Sequence, residues 1–309
     1  MVAFLQAFGV SKMSNPLPDP DLAGQVLRFA DRHGADHRSF PTGVAGLTLV
    51  RTRAPTALEA QAYHPLVCLV LQGRKESYLG RERVEFTAGN AVIISLDLPT
   101  RARVIEASPH RPYVALALRL DLDLVRSLGL EMEPVVEAAE QPARAIEPGP
   151  VDAALVDAMR RLFALVDAPQ DRPVLEPMIV REIHYRLLTA PHGGMLRRLA
   201  QRDSHASRIH RVLARIRGDC TTAFSVAELA TLAGMSPSSF HDHFRAVTNT
   251  TPLQYIKDMR LLEARQRLRS GGDPVSSVAF AVGYESPTQF SREYARKFGV
   301  TPRADRDAA

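Results

Sequence analysis

A duplication in the last third of this 309-residue chain constrains its fold more than any other feature. Ser236-Pro237-Ser238-Ser239-Phe240 returns fifty positions later as Ser286-Pro287-Thr288-Gln289-Phe290. At the same offset Phe244 matches Tyr294 and Thr251-Pro252 matches Thr301-Pro302. Upstream the offset is 49: Leu229-Ala230 matches Val278-Ala279 and Gly234 matches Gly283, so the second unit carries one extra residue near Glu285. A repeat that keeps its apolar and turn residues in order is one small supersecondary unit built twice.

Each copy reads as helix, tight turn, helix. Ser225 is a natural N-cap for Val226–Ala233, with Glu228 three residues on to complete a capping box. Gly234 supplies the turn. Ser236 caps the next helix and Pro237 takes its first position, where a missing N–H costs nothing. Phe240, Phe244 and Val247 then face inward at spacings of four and three. The second copy repeats this with Ser286, Pro287, Phe290, Tyr294 and Phe298. Between the copies, Leu253 to Arg269 reads as one long helix that buries Ile256, Met259, Leu262 and Leu268 and ends at Ser270-Gly271-Gly272.

In a helix-turn-helix unit the second helix enters the DNA major groove and its N-terminal residues meet base edges. Two units on one rigid helix can present two reading helices to successive grooves, about 34 Å apart. The candidate readers are Ser238, Ser239, His241 and Asp242 in the first unit, and Thr288, Gln289, Ser291 and Arg292 in the second. Glutamine suits adenine, arginine suits guanine, and serine or threonine serves either. A plainer role stands beside each: Ser238 solvating a helix end, Arg292 gripping a phosphate, which positions without specifying. The charge distribution agrees with a polyanion partner. Residues 201–309 hold 16 Arg and Lys against 11 Asp and Glu, which accounts for the whole net charge of +5.

The remainder divides into three. Residues 1–40 are mixed, with a helix over Asp21–His33 that turns Leu22, Val26 and Phe29 to one side. Residues 41–140 carry short apolar runs between turn signals: Leu66–Leu71, Tyr78–Leu79, Val84 with Phe86, Ala91–Leu96, and Tyr113–Leu120 with Val114, Leu116, Leu118 and Leu120 on one face. Such spacing predicts a small barrel or sandwich. After the Pro- and Glu-containing stretch Glu131–Pro150, residues 141–200 turn helical. Leu155, Met159, Leu162, Phe163 and Val166 form one stripe and Met178, Ile179, Ile183 and Leu187 another, with a break at Pro191–Gly194. These stripes either pack on the barrel or form a dimer seam, and the two readings are compatible.

Two cysteines, Cys68 and Cys220, make no disulfide framework, and Cys68 reads as a small buried hydrophobe. No apolar run reaches about 18 residues, so no membrane span is expected. The apolar start Met1–Gly9 lacks the basic flank of a signal peptide, and Met13 is an alternative start. An enzyme is the rival class, since barrels of this size often hold metals. Yet His64 and His110 are isolated, His241 and His243 diverge on a helix, and His33 with His37 lack a third ligand. No nucleophile elbow or phosphate-binding loop is present either. The expectation is therefore no metal, no cofactor and no catalytic residue. A constitutive architectural protein with a purely structural barrel is a third reading, which the sensor-plus-reader layout disfavours.

The segment Ala279-x-x-x-Gly283-Tyr284-x-Ser286-x-x-x-Phe290-Ser291-Arg292-x-Tyr294-x-x-x-Phe298-Gly299-x-Thr301-Pro302 resembles the signature of the AraC/XylS family of transcription regulators. The first unit is similar through Ala230, Ala233-Gly234-Met235-Ser236, Phe240, Phe244 and Pro252-Leu253-x-Tyr255. Two positions depart. Asp242 stands where that family often has arginine; a carboxylate repels phosphate but can accept from a cytosine amine. Asn249 stands where glycine is usual, and asparagine tolerates the left-handed conformation. Tyr63-His64-Pro65-x-Val67-Cys68-Leu69-Val70-Leu71-Gln72-Gly73-Arg74-Lys75, then Ala88-Gly89-Asn90, Ser95–Pro99 and Glu106–Pro109, resemble the same family's N-terminal regulatory domain. The resemblance implies an α+β protein: a cupin-like β-barrel, a helical dimerisation region, and an all-α domain of two helix-turn-helix units over 201–309. It further implies a cytoplasmic homodimeric regulator with a small-molecule effector in the barrel and with double-stranded DNA and RNA polymerase as partners, one that contacts the polymerase or blocks it.

Overall fold

The computed structural model describes residues 20–36, 39–132, 143–219, 221–271 and 273–308. The start Met1–Gly9, Met13, His37, Cys220 and Gly272 lie outside the described residues. The described strands form two antiparallel sheets. One runs in the order β1 (Ser39–Pro41), β2 (Leu47–Thr52), β9 (Tyr113–Arg119), β4 (Leu66–Gln72), β7 (Asn90–Ile94), β10 (Ile146–Pro150). The other runs β3 (Glu59–Tyr63), β8 (Leu98–Glu106), β5 (Arg74–Leu79), β6 (Glu82–Thr87). The chain passes from one sheet to the other at Gly73, between β4 and β5, with φ at 78°. A Cβ there would lie 2.5 Å from the Glu106 carbonyl oxygen, so only glycine lets the chain pass this close to the end of β8.

β9 is central and buried along both faces from Tyr113 to Leu118, not only on the face that its alternation marks. One side of its sheet lines the barrel interior and the other packs against helices. Among those, α1 (Pro20–Arg32) buries Leu22, Val26 and Phe29 as expected. Arg51, buried on β2, fastens it: its guanidinium donates to the Ala35 carbonyl at 2.7 Å and pairs with Asp31 and Asp36. The sheet also runs past the expected boundary at residue 140. Ile146–Pro150 pairs with β7 as an edge strand, where proline removes no needed ladder bond.

Next come α2 (Leu122–Glu131), α3 (Ala153–Ala164), α4 (Arg172–Thr189) and α5 (Gly194–Ala200). α3 buries Leu155, Met159, Leu162 and Phe163. His184 on α4 is buried and bridges two helices: it accepts from the Asp121 N–H at 2.9 Å and donates to the Val180 carbonyl. Burial lowers its pKa despite the Val180 bond, which favours the neutral ring this geometry requires. α4 also corrects one expectation. Ile179, Ile183 and Leu187 face inward, but Met178 does not. It is 64% exposed and joins Val174, Leu175 and Tyr185 in a second, outward apolar stripe.

The C-terminal third is α6 (His205–Gly218), α7 (Val226–Ala233), α8 (Pro237–Thr248), α9 (Pro252–Ser270), α10 (Val275–Ala281), α11 (Pro287–Phe298) and α12 (Pro302–Asp307). One buried cluster runs from the barrel through α6, α7 and α8. A second holds Val278, Phe290 and Tyr294. α9 serves both: Ile256, Met259 and Leu262 belong to the first, Leu261, Ala264 and Leu268 to the second. Its 19 residues span about 28 Å, a rigid strut between the repeats. Among the described residues, no helix is long and apolar enough to cross a membrane.

Candidate nucleic-acid interface

Local chemistry builds each candidate reading helix. Ser225 and Glu228 form the expected capping box: Ser225 Oγ accepts from the Glu228 N–H at 3.2 Å and Glu228 Oε2 from the Ser225 N–H at 2.8 Å. Gly234 takes φ 62° at the turn. Ser236 Oγ then accepts from the Ser239 N–H at 3.3 Å, with Pro237 opening α8. Phe240 and Phe244 are fully buried, and Phe244 meets Tyr255 of α9 edge-on at 5.5 Å. Asn249 ends the helix at φ 56°, the left-handed state its side chain tolerates.

The second unit is tied more tightly. Gly283 lies where the Arg260 guanidinium crosses the turn; a Cβ would sit 2.9 Å from it. Arg260 donates there to the Gly283 carbonyl at 3.1 Å and the Thr222 carbonyl at 2.9 Å, lacing the two units together. Rings of Tyr284, Phe290, Tyr294 and Phe298 follow one another at 5.3, 5.5 and 4.5 Å. Lys257 with Glu293 at 2.9 Å and Lys297 with Asp258 at 2.6 Å pin α11 to α9. Those two lysines are therefore committed within the fold.

Of the candidate readers, Ser238 and Asp242 on α8 and Thr288, Gln289 and Arg292 on α11 are exposed; Ser239, His241 and Ser291 are partly buried. Ser238 Oγ lies 3.4 Å from Ser236 Oγ, and Gln289 Nε2 leans on Glu293 at 3.3 Å. Arg292 makes no hydrogen bond or ion pair among the described residues. The residue-by-residue reading stops at the first half of each helix and so omits Arg245 and Arg296, both exposed. Helical spacing could have found them. Ser238, Asp242 and Arg245 share one face at steps of four and three, and Gln289, Arg292 and Arg296 share another at three and four. His243, by contrast, stacks on His205 of α6 at 3.8 Å and belongs to packing.

The helix-turn-helix domain is docked on the barrel. Asp97, between β7 and β8, is buried; its carboxylate takes Arg217 of α6 at 3.0 Å and His64 at 2.7 Å. Its backbone carbonyl accepts from the Tyr255 hydroxyl at 2.8 Å. Asn249 Nδ2 donates to Glu82 Oε2 at 2.9 Å, so the end of α8 touches the β5–β6 turn. Among the described residues, no three His, Cys, Asp or Glu side chains are grouped to hold a metal ion. Between the sheets lies a cavity of about 460 Å³, walled by residues that include Val50, Tyr63, Cys68, Phe86 and Tyr113. Burial pushes the Cys68 thiol up to about 11, so it stays protonated and unreactive.

Two family models match this chain. One describes an AraC-type transcriptional regulator N-terminus and covers residues 43–195; the other describes a helix-turn-helix domain and covers 229–308. The RCS-specific HTH-type transcriptional activator RclR of Escherichia coli K12 is 41% identical over 80 residues, 26% of this chain and 28% of RclR. The HTH-type transcriptional activator RhaS of Escherichia fergusonii is 27% identical over 154 residues, 50% of this chain and 55% of RhaS. The chain thus spans about a quarter to about half the length of these curated relatives. Among solved structures, ToxT from Vibrio cholerae O395, bound to (E)-4-(8-methylnaphthalen-1-yl)but-3-enoic acid, superposes with a TM-score of 0.58. It is 10% identical and the match covers 87% of this chain and 99% of ToxT, a likeness of fold.

Proposed function

The chain belongs to the AraC-type family of transcription regulators, and from that membership we propose that it reads a specific DNA sequence with α8 and α11 and regulates transcription there in response to a small molecule held in its barrel. The observation that carries this is the pair of exposed polar helix faces on one rigid strut, with the Arg292 guanidinium unengaged on the second. Arg292 and Gln289 meet bases, while Arg245 and Arg296, a turn further along, meet phosphates. Ser238, Ser239, Thr288 and Ser291 fill the groove beside them, and His241 and Asp242 complete the first reader. RNA polymerase is the partner for activation, and the cytoplasm is where the chain meets its DNA.

The test is binding of DNA from the protein's own upstream region across a salt series, with scrambled DNA as control. Arg292→Ala should weaken specific binding by about 1–3 kcal/mol, roughly 5- to 150-fold, and relax preference at one base pair. Arg296→Ala should weaken both DNAs alike and lower the salt slope by about one. If Gln289→Ala and Arg292→Ala both keep wild-type affinity and preference, α11 is not the reader.

A homodimer seam on α4 is part of the same proposal. Val174, Leu175, Met178 and Tyr185 expose an apolar stripe that none of the described residues covers. A helix face of this kind suits a second copy of itself across a two-fold axis. The double variant Val174→Asp with Met178→Asp should sediment as a folded monomer where the wild type sediments as a dimer. A monomeric wild type at micromolar concentration would remove the seam.

A further inference from the structure

Inside the barrel, Lys75 is a cation without a carboxylate. It lies on β5, with Nζ 5.3 Å from the centre of the Tyr63 ring and 5.8 Å from that of Phe86. It is partly buried, and its remaining surface belongs to the cavity wall. The next residue, Glu76, points to the opposite face of the strand, where Arg83 and Arg103 engage it. Glu59, also on the lining, is exposed at the start of β3. Burial works against the ammonium, yet the neighbouring Tyr63 phenol and Cys68 outweigh it and raise the pKa, so the charge persists at neutral pH.

Two further polar atoms of the wall have no partner besides Lys75 itself. The Tyr63 hydroxyl, on a side chain only 8% exposed, has only that ammonium beside it, and Gln61 Nε2 makes no hydrogen bond. Ammonium, phenol and amide nitrogen can all donate. The rest of the wall sets apolar Val50, Leu66, Phe86 and Val104 beside the hydroxyls of Ser39, Thr48, Thr52 and Thr56. Its volume suits a small molecule. Water could satisfy the hydrogen bonds but leaves the ammonium without a counter-charge. A neutral sugar could use the wall's hydroxyls but would leave the ammonium without a counter-charge, and a doubly charged phosphate would find one unpaired cation.

We propose that the cavity between the sheets binds a small organic carboxylate, whose oxygens take Lys75 Nζ, Tyr63 Oη and Gln61 Nε2 and whose hydrocarbon body lies against Phe86, Val50 and Leu66. The inference rests on the effector reading above and narrows it to one chemical class. It also links site to reader. β5 runs from Lys75 to the turn at Gly80, and a Cβ at Gly80 would lie 3.1 Å from the Asn249 carbonyl at the end of α8. A ligand that repositions β5 therefore acts on the first reading helix across a single strand.

The test uses the full chain without DNA, with trans-cinnamate and octanoate as probes and cinnamyl alcohol and octanol as their neutral twins, read by calorimetry and thermal melting. The acids should bind, and the alcohols should bind about thirtyfold more weakly or worse, because they leave the ammonium unpaired. Lys75→Met should abolish discrimination between acid and alcohol. In the ligand-free chain it should raise the melting midpoint by about 2 °C or more, because it removes an uncompensated charge. Equal binding of the alcohols, failure of both acids to bind, or a lower midpoint for Lys75→Met would each overturn the proposal. No DNA enters the assay, so a chain that failed to read DNA could still pass it, and the reverse.

Discussion

Replacing Asp305 with alanine is expected to destabilise the second helix-turn-helix unit by about 3–5 kcal/mol, the loss typical of a buried ion pair stripped of one partner. Asp305 is 6% exposed on the short terminal helix α12. Its carboxylate accepts from Arg265 Nε at 2.8 Å, from Arg269 at 2.9 and 3.0 Å, and from the Tyr294 hydroxyl at 2.7 Å. It thereby joins α9, α11 and α12 at one point. Alanine would leave the largely buried Arg265 without its counter-charge and the Tyr294 hydroxyl without its acceptor. Arg269 is more than a third exposed, so water screens its share and most of the loss comes from the other two. Asparagine should retain the tyrosine bond and lose less. The sign with pH follows from the same contacts. Burial alone would raise the Asp305 pKa, but the bonds from Tyr294, Arg269 and Arg265 outweigh it and hold it below the usual carboxylate range. The native state then binds fewer protons than the unfolded chain. The stabilisation is complete above the unfolded pKa, about 4, and fades as pH falls through the depressed native value. Urea unfolding should therefore separate wild type from Asp305→Ala more widely at pH 7 than at pH 3. A difference under about 1 kcal/mol at pH 7 would show that the carboxylate is not the clasp.

Gly73→Ala should unfold the barrel at a loss of about 3 kcal/mol or more, the range of strained or overpacked sites. Two effects add. The left-handed conformation alone disfavours alanine by about 1–2 kcal/mol. The new methyl would also meet the Glu106 carbonyl oxygen at 2.5 Å and the Tyr113 Cα at 3.0 Å. Both are backbone atoms of strands already hydrogen-bonded on either side, so neither can swing away. Gly34→Ala is the built-in control: it has φ 62° but nothing within 4 Å of its Cβ position, so it should show only the smaller conformational loss. Thermal melts of the two variants separate strain from collision. Equal midpoints would mean that β8 and β9 yield at Gly73 more readily than their pairing suggests.

The two reading units were legible because every signal in them is local. Caps, turn glycines and aromatic spacings lie within a dozen residues of one another, and the duplication states each of them twice. The barrel was legible only where strands face a packed core. β3 and β8 went unrecognised because their inward residues include Gln61, Thr100 and Ala102, small or polar groups that break hydrophobic alternation. Those strands border the cavity, so the feature that hid them also marks where the barrel is hollow. Met178 shows a second limit. Periodicity finds an apolar stripe but does not say whether the chain itself covers it, and among the described residues α4 has one covered stripe and one bare one. Contacts between the domains had no local signal at all. Arg217 lies 120 positions from Asp97, and Asn249 was legible only as a left-handed cap, not as the donor to Glu82.

The joint at Asp97 bears on the exchange of parts between relatives. A reading head grafted onto this barrel from another member would bring its own residues to the places of Arg217, Tyr255 and Asn249. Unless they match, the graft leaves the buried Asp97 carboxylate with His64 alone, and no choice of linker corrects that. Asp97, Glu82, Arg217, Tyr255 and Asn249 form a single coupling, and a working hybrid has to inherit both halves of it together.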